Sequence, residues 1–558
     1  MPVEISVRGD SITFVVGEFD SEWSLVIDPV FTTLVASPED DHGFAMAIDG
    51  DGNVYMAGAT FHSSMFAPDR NYFGTTSGRD TADVFVTKLS PDLSTHLATA
   101  IIGSCGWDYA RDIAIGEDGS IYIAGWTTCP STFAPERSFF GDTGGVDVFV
   151  SRLSSSLDEH LSTAIVSSSG LDYAYGLSLG PDGSVYVAGY TADYSTFAPS
   201  RIVFGETGSY DAFVSRLSPD LSDHLNSAIV GSGGMDGAMD VVVDDSGNVF
   251  LSGYTWSSGT FAPDRTILGD PGSMDAFVSR LSSDLNVHVA TAILASPGLE
   301  SGNALYVSDS GTVYLGGWTD SPQQFAPQRT IVGITGNLDG FVSALPPFLD
   351  GHLWSLILAS DGEDGVESIS WGDSALIVAG YTGNGNTFSD GRMVVGTTGG
   401  KDAFVVALVD TQVLWTLILA SDSEDVARSV DVAGGVIYVA GHTEGGSGFA
   451  GGAVYMGSGG RRDVFVSRLE EPLKNTETSS GRNPRVILSG RTLILEITRP
   501  DYVGFEVYSA GGRLLLRSSR GVLPAGIHRI RIPEKGSGVF LILIRIGNMV
   551  KRLTMVAD

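Results

Sequence analysis

Between Phe31 and Glu470 the chain repeats one pattern seven times, and a fixed period constrains the architecture before any other feature does. An Asp-x-Phe-Val motif begins at Asp83, Asp147, Asp211, Asp275, Asp339, Asp402 and Asp463, in steps of 64, 64, 64, 64, 63 and 61 residues. A second anchor is the glycine ending each "VYVAG"-like run: Gly58, Gly125, Gly189, Gly253, Gly317, Gly380 and Gly441. Each is followed two residues later by a threonine, from Thr60 to Thr443. In the copy at 172–235, "GLSL" reads as a first strand and "PDG" as the turn that reverses it. "SVYVAGYT" is a second strand, "DAFVSRLS" a third, and "LNSAIVGS" a fourth. A long loop with "FAP" and a glycine-rich stretch separates the second from the third. Four antiparallel strands per unit in seven units predict an all-β chain folded as a seven-bladed β-propeller. A solenoid would need atypical capping repeats at its ends, and the terminal units here are not of that kind.

The phase of the repeat predicts how the ring closes. The fourth-strand motif occurs as "FTTLVAS" at 31–37, ahead of any first strand, while the last unit stops after "DVFVSRL". Residues 31–37 are therefore expected to be the outermost strand of the last blade, leaving no open edge. Residues 1–30 read as two or three strands, either the end of something longer or a small cap. Residues 471–484 are a polar linker, and 485–558 read as a small C-terminal β-sandwich.

Charge separates the two parts. The net charge is −34, but residues 471–558 carry 14 Lys/Arg against 7 Asp/Glu. The preceding residues carry 18 against 59, a balance of −41. An acidic body of that kind argues against nucleic acid and anionic membranes as partners. No run reaches the roughly 18 apolar residues of a membrane helix, and a monomer is expected. "MPVEISVRGD" shows neither the basic start nor the apolar core of a signal peptide.

Candidate site residues follow from antiparallel order. It places the fourth-to-first connection and the second-to-third loop of every blade on one face. Each fourth-to-first connection holds one acid in register: Asp41, Asp108, Asp172, Asp236, Glu300, Asp364 and Asp425. A ring of seven carboxylates can hold Ca²⁺, which takes several oxygen ligands. The competing reading is that each carboxylate accepts N–H bonds in its own turn, since a fold requirement repeats in every blade. No other metal or cofactor is expected. His96, His160, His224, His288 and His352 mimic a metal cluster, but the symmetry spreads them around the rim. The Asp of each Asp-x-Phe-Val motif is expected to form a staple with the repeated Thr and the arginines Arg70, Arg137, Arg201, Arg265, Arg329 and Arg392. "DGDGN" at 49–53 starts like a calcium loop but lacks the distal Glu, and it occupies the hairpin slot of the other repeats.

Aromatic residues precede five of the threonines: Trp126, Tyr190, Tyr254, Trp318 and Tyr381. They are placed either to stack on sugars or to pack between blades. Symmetry breaks three residues after each ring acid, at Phe44, Arg111, Tyr175, Met239, Asn303, Glu367 and Arg428. No Ser-His-Asp, Cys-His, zinc or phosphate-loop signature is present. Cys105 and Cys129 flank one hairpin on the same face, which brings them within reach of a disulfide.

"LVIDPVF", "DGNVYMAGAT" and "DVFVTKL" resemble the SBBP family of bacterial propeller repeats over roughly 22–470. "FEVYSAGGRLL", "LPAGIHRIRIP" and "GSGVFLILIRIGNMVKRLTMV" resemble the C-terminal sorting domain of type IX secretion substrates. That resemblance implies secretion machinery as a partner and an extracellular or outer cell-surface location. Such substrates carry a signal peptide, so a truncated start is one reading of its absence. The expected function is a secreted, non-catalytic binding protein for polysaccharide or protein. The competing readings are an extracellular hydrolase or lyase acting on polysaccharide, and a structural surface-layer component.

Overall fold

A computed structural model describes residues 30–469, apart from 77–80, 373, 390–391 and 452. It also describes two strands before residue 30, and seven strands between Arg485 and Ala557, without their side chains. Residues 30–470 form seven sheets around a ring, one per repeat. In blade two the innermost strand is Asp108–Ile115, followed outward by Ile121–Thr127, Asp147–Leu153 and His160–Ser167. The inner strands of successive blades touch one another all the way round, including the seventh and the first.

Each sheet has five strands, one more than the four expected from the repeat. The extra strand, Arg137–Gly141 in blade two, lies within the second-to-third loop. It pairs in parallel with the outer side of the fourth strand, Arg137 opposite Thr163 through Gly141 opposite Ser167. The connection uses its excursion to the rim to cover an edge that would otherwise be bare. The new edge is only four or five residues long in each blade, which limits unwanted pairing.

Period-two alternation explains why both faces of each blade are apolar. In blade two, Ile121 and Ile123 pack toward Ala57, Val84 and Val86 of blade one. Tyr122 and Ala124 point the other way, into the core shared with Val185, Val187 and Phe213 of blade three. The "FAP" phenylalanine packs on the Asp-x-Phe-Val phenylalanine of its own blade, as Phe133 does on Phe149 at 4.3 Å between ring centroids. The same pair recurs in all seven blades.

Closure follows the phase of the repeat. Val30–Ala36 pairs antiparallel with the last blade's third strand, Val30 opposite Leu469 through Val35 opposite Val464. It is the fourth strand of that sheet and not the outermost, because Val454–Gly457 pairs on its far side. A second link has the same seam. The Tyr122 hydroxyl donates to the Pro219 carbonyl of the next blade, and Tyr438 donates to Pro91 across the join of blades seven and one.

Val3–Arg8 and Ser11–Val16 form an antiparallel hairpin. The third strand expected before residue 30 and the linker at 471–484 lie outside the described residues. Leu473–Asp558 is a separate compact unit, with one antiparallel sheet of three strands and one of four. Packing of these into the expected sandwich rests on side chains outside the described residues.

Candidate functional site

Every inner strand carries a β-bulge, and the bulged residue is always the one three positions after the ring acid. In blade two Asp112 pairs with Ala124 and Ala110 with Gly125, leaving Arg111 unpaired between them. Phe44, Tyr175, Met239, Asn303, Glu367 and Arg428 occupy the equivalent gaps. A bulge re-aims a side chain. All seven of these residues are half-buried, while the residue before each is buried. The symmetry-broken positions are thus the lining of the central channel. The anchor glycine is the other half of the device: a Cβ on Gly125 would stand 1.8 Å from the Tyr109 carbonyl oxygen that the bulge displaces.

The ring acids do not open on this channel. Asp41, Asp108, Asp172, Asp236, Glu300, Asp364 and Asp425 are all fully buried. Asp108 accepts the Ser104 N–H at 2.6 Å and the Ser104 hydroxyl at 2.8 Å. Ser37, Ser168, Ser232, Ser296, Ser360 and Ser421 serve the other six in the same way. Burial pushes these acids up, to about 8 for Asp41, about 7 for Asp108, Glu300 and Asp425, and about 6 for Asp172, Asp236 and Asp364. Their oxygens hold the strand entry together, as the turn-bonding reading of these acids has it. No group of three His, Cys, Asp or Glu side chains converges on a metal-sized site among the described residues.

The channel mouth is asymmetric. On blades seven, one, two and three a run of rings is unbroken: His442 to His42 at 5.5 Å, His42 to Phe61 at 5.8 Å, and Phe61 to Trp107 at 5.5 Å. Trp107 lies parallel to Tyr109, which stacks on Trp126 at 4.5 Å. Trp126 meets Tyr173 edge-on at 5.5 Å, and Tyr173, Tyr190 and Tyr210 continue the run. On blades six and seven the walls also carry charge. Arg428 pairs with Glu367 at 2.7 Å, and Lys401 sits over the Tyr381 ring and beside Glu363.

Of the five aromatics expected from the sequence, the structure brings Trp126 and Tyr190 into this run. Tyr254 and Tyr381 instead lie flat over Gly237 and Gly365, where any Cβ would meet their rings at 2.8 and 2.7 Å. Trp318 pairs opposite Ser301. His42, Phe61, Trp107, Tyr109 and Tyr173 were not singled out by sequence. For His42, Tyr109 and Tyr173 the signal is the position after the ring acid, which is aromatic in the first three blades and Gly, Ser, Gly and Val in the others.

Deeper along the inner strands, Asp112 accepts the N–H groups of Ile113 and of Leu177 in blade three. Asp240 does the same with Val241 and Leu305. Burial raises both, to about 8 and about 7. Each carboxyl caps the inner edge of its own strand and the next.

Cys105 and Cys129 are disulfide-bonded, with Cα atoms 5.8 Å apart. The bond fixes the loop that carries Trp107, whose N–H donates to Thr128 at 2.7 Å and whose side chain is 40% exposed. The rim histidines His96, His160, His224, His288 and His352 each share a hydrogen bond with a Ser or Thr three residues on. The expected staple is different in kind. Arg137 donates to the carbonyls of Phe133, Ala134 and Ser131, while Asp147 accepts the Gly144 N–H. A guanidinium offers five donors, and three carbonyls of a tight "FAP" turn match that fork better than one carboxylate. "DGDGN" is a hairpin turn, Asp49 accepting the N–H groups of Asp51 and Asn53. An open groove of about 590 Å³ on the rim of blade five, lined by Gln323, Arg329 and Trp354 among others, is remote from the mouth.

No protein-family model and no curated protein matches the chain. Among solved structures it is similar to the β-propeller domain of the Trilobed protease from Pyrococcus furiosus. That match has 7% identity and a TM-score of 0.35, and covers 80% of this chain and 100% of that one. It is also similar to Pyrococcus horikoshii acylaminoacyl peptidase, at 8% identity and a TM-score of 0.34. There it covers 83% of this chain and 59% of the peptidase. At such distances neither likeness bears on function, and the seven-bladed propeller rests on the strand pairing described above.

Proposed function

We propose that this propeller is a non-catalytic binding module that takes a polysaccharide across the channel mouth on blades seven, one, two and three. The supporting observation is the unbroken run of rings from His442 to Tyr210, with Trp107 exposed at its centre. The face of a sugar ring presents polarised C–H bonds, and these stack on an aromatic face. Apolar walls with a few polar groups are the usual make-up of a ligand site. Glu367, the acid that a hydrolase or lyase would use here, is engaged by Arg428.

Resemblance to SBBP repeats and to type IX substrates supports export, with the basic C-terminal unit as the sorting element and secretion machinery as its partner. A disulfide is of a kind that persists in an oxidising compartment. In a glycan array the wild-type protein is expected to retain a polysaccharide without cleaving it. Each good stack is worth about 1 kcal/mol, so Trp126→Ala should weaken binding roughly five- to tenfold in protein that is still folded at the assay temperature. Retention of protein ligands only, or equal binding by a Trp107→Ala/Trp126→Ala double variant, would overturn the reading.

A further inference from the structure

Arg111 is the one bulge residue with a full charge that the fold does not answer. Its guanidinium lies over the Phe44 ring at 4.2 Å and over the Tyr175 ring at 4.8 Å. Among the described residues its nitrogens have no hydrogen-bond acceptor and no carboxylate within ion-pair reach. The other arginines at the mouth are answered: Arg428 by Glu367 and Arg462 by Glu444, both at 2.7 Å. Asp112, next in sequence, has its oxygens taken by two backbone N–H groups at 2.6 and 2.8 Å. The rim arginines donate to backbone carbonyls, as Arg137 does.

Stacking uses the faces of a guanidinium and leaves its edges, where the five N–H donors lie. With Phe44 and Tyr175 packed on it, the half-buried guanidinium of Arg111 is held in place, and its N–H donors have no protein acceptor among the described residues. That is the geometry of a fork set for a two-oxygen anion. The guanidinium stands between the rings of blade one and those of blade three. A residue of a chain lying on the aromatic run would therefore bring its own substituents over Arg111. The acidity of the body does not oppose this, because charges more than about 8 Å away are largely screened at physiological salt. Arg428 takes Glu367, so the guanidinium of Arg111 adds a positive charge that no carboxylate at the mouth pairs with among the described residues.

We infer that Arg111 is the specificity-determining residue of the mouth and that the polysaccharide it selects is anionic, its carboxylate held by the Arg111 fork. The inference rests on the polysaccharide reading above and narrows it to acidic chains. Arg111 is a binding residue, not a catalytic one.

The test is calorimetric titration of the full chain with oligogalacturonate, its fully methyl-esterified form and sulfated dextran. Wild-type protein is expected to bind oligogalacturonate at least tenfold more tightly than the ester. Arg111→Gln should remove that preference, bringing binding of oligogalacturonate down to that of the ester, whereas Trp126→Ala should weaken both and keep the preference. Arg111→Lys keeps the charge but not the fork, and should recover only part of the preference. It also serves if the glutamine variant does not fold, as judged by its thermal midpoint. Tighter binding of sulfated dextran than of galacturonate would overturn the carboxylate assignment. Equal binding of acid and ester, still dependent on Trp126, would overturn this inference and leave the polysaccharide reading standing. Binding of no glycan at all would overturn both.

Discussion

The first residue of each inner strand and the bulged residue three positions later occupy the same seven places around the ring, yet their chemistry diverges. The first is Asp in six blades and Glu in one, and all seven are fully buried. The second is Phe, Arg, Tyr, Met, Asn, Glu and Arg, and all seven are half-buried. What differs is the partner. The acid answers a backbone N–H and a serine hydroxyl that recur in every blade, so one residue type fits everywhere. The bulged side chains meet different partners in different blades, as Arg111 meets Phe44 and Tyr175 while Arg428 meets Glu367, so no one residue type is imposed on them. In a repeat protein the repeated positions describe the fold, and the positions where the repeat fails describe what is particular to this chain.

Removing the closing strand tests the framework half of that contrast and carries the largest expected effect. Without Val30–Ala36 the strand Asp463–Glu470 loses its neighbour on one side and presents an open edge. Amide exchange over residues 425–470 should accelerate by at least about a hundredfold, some 3 kcal/mol of local stability, while blades three to five keep their protection. Uniform loosening, or none, would mean that the repeats do not close through this pairing.

Substituting one member of each ring within a single blade sharpens the contrast directly. Asp236→Ala leaves the Ser232 N–H and hydroxyl without an acceptor in a buried site, a loss of about 1–3 kcal/mol. Met239→Ala removes a side chain that is half in the channel, and should cost less than about 1 kcal/mol. Urea unfolding of the two variants measures both. Equal losses would show that the bulge position is part of the framework after all.

Much of the framework was legible because its requirements repeat. The period gave seven units, and the offset of 31–37 gave the closing strand. The rim strand was hidden for a physical reason: "RSFFG" at 137–141 packs little of itself, pairs on one side only and is set among glycines, so it reads as loop. The bulge was hidden because "DYARDIAI" looks like an ordinary alternating strand. Its trace was on the facing strand, in the glycine that makes room for the displaced carbonyl. The site was half legible. Trp126 and Tyr190 stood out because they recur. Tyr109 did not, because four other blades carry Gly, Ser or Val there, and Trp107 and Phe61 did not, because their positions vary from blade to blade. Only their meeting in space, from residues tens of positions apart, gives them a common role.

A pH titration reaches the same contrast with the smallest change, because the repeated ring is seven fully buried carboxyls while the bulge ring is half-buried and of mixed type. Asp41 is pushed up to about 8, and Asp108, Glu300 and Asp425 to about 7, in each case chiefly by burial. Third-strand Asp147, Asp211 and Asp339 are raised in the same sense, to about 6, 6 and 7. A carboxyl raised in the fold holds its proton where the unfolded chain, near 4, has lost it. The folded state then binds more protons, so this contribution is complete below pH 4 and is lost as pH rises through 6 to 8. Histidines act in the opposite sense at lower pH. Burial lowers His42, His160, His224 and His288 to about 4, so their contribution is present above pH 6.5 and is lost as pH falls toward 4. Above pH 6.5 they are neutral in both states, and only the carboxyls set the slope. Between pH 4 and 6.5 the seven raised carboxyls outnumber the four histidines, so urea midpoints should be highest near pH 4 and fall from there to about pH 8. Asp41→Asn retains an acceptor for the Ser37 N–H but cannot ionise, so its alkaline fall should be shallower than wild type by about 1 kcal/mol or less. A variant as pH-sensitive as the wild type would show that the buried ring is ionised in the fold, and that its repetition has a cause other than the protonated hydrogen bonding inferred from its burial.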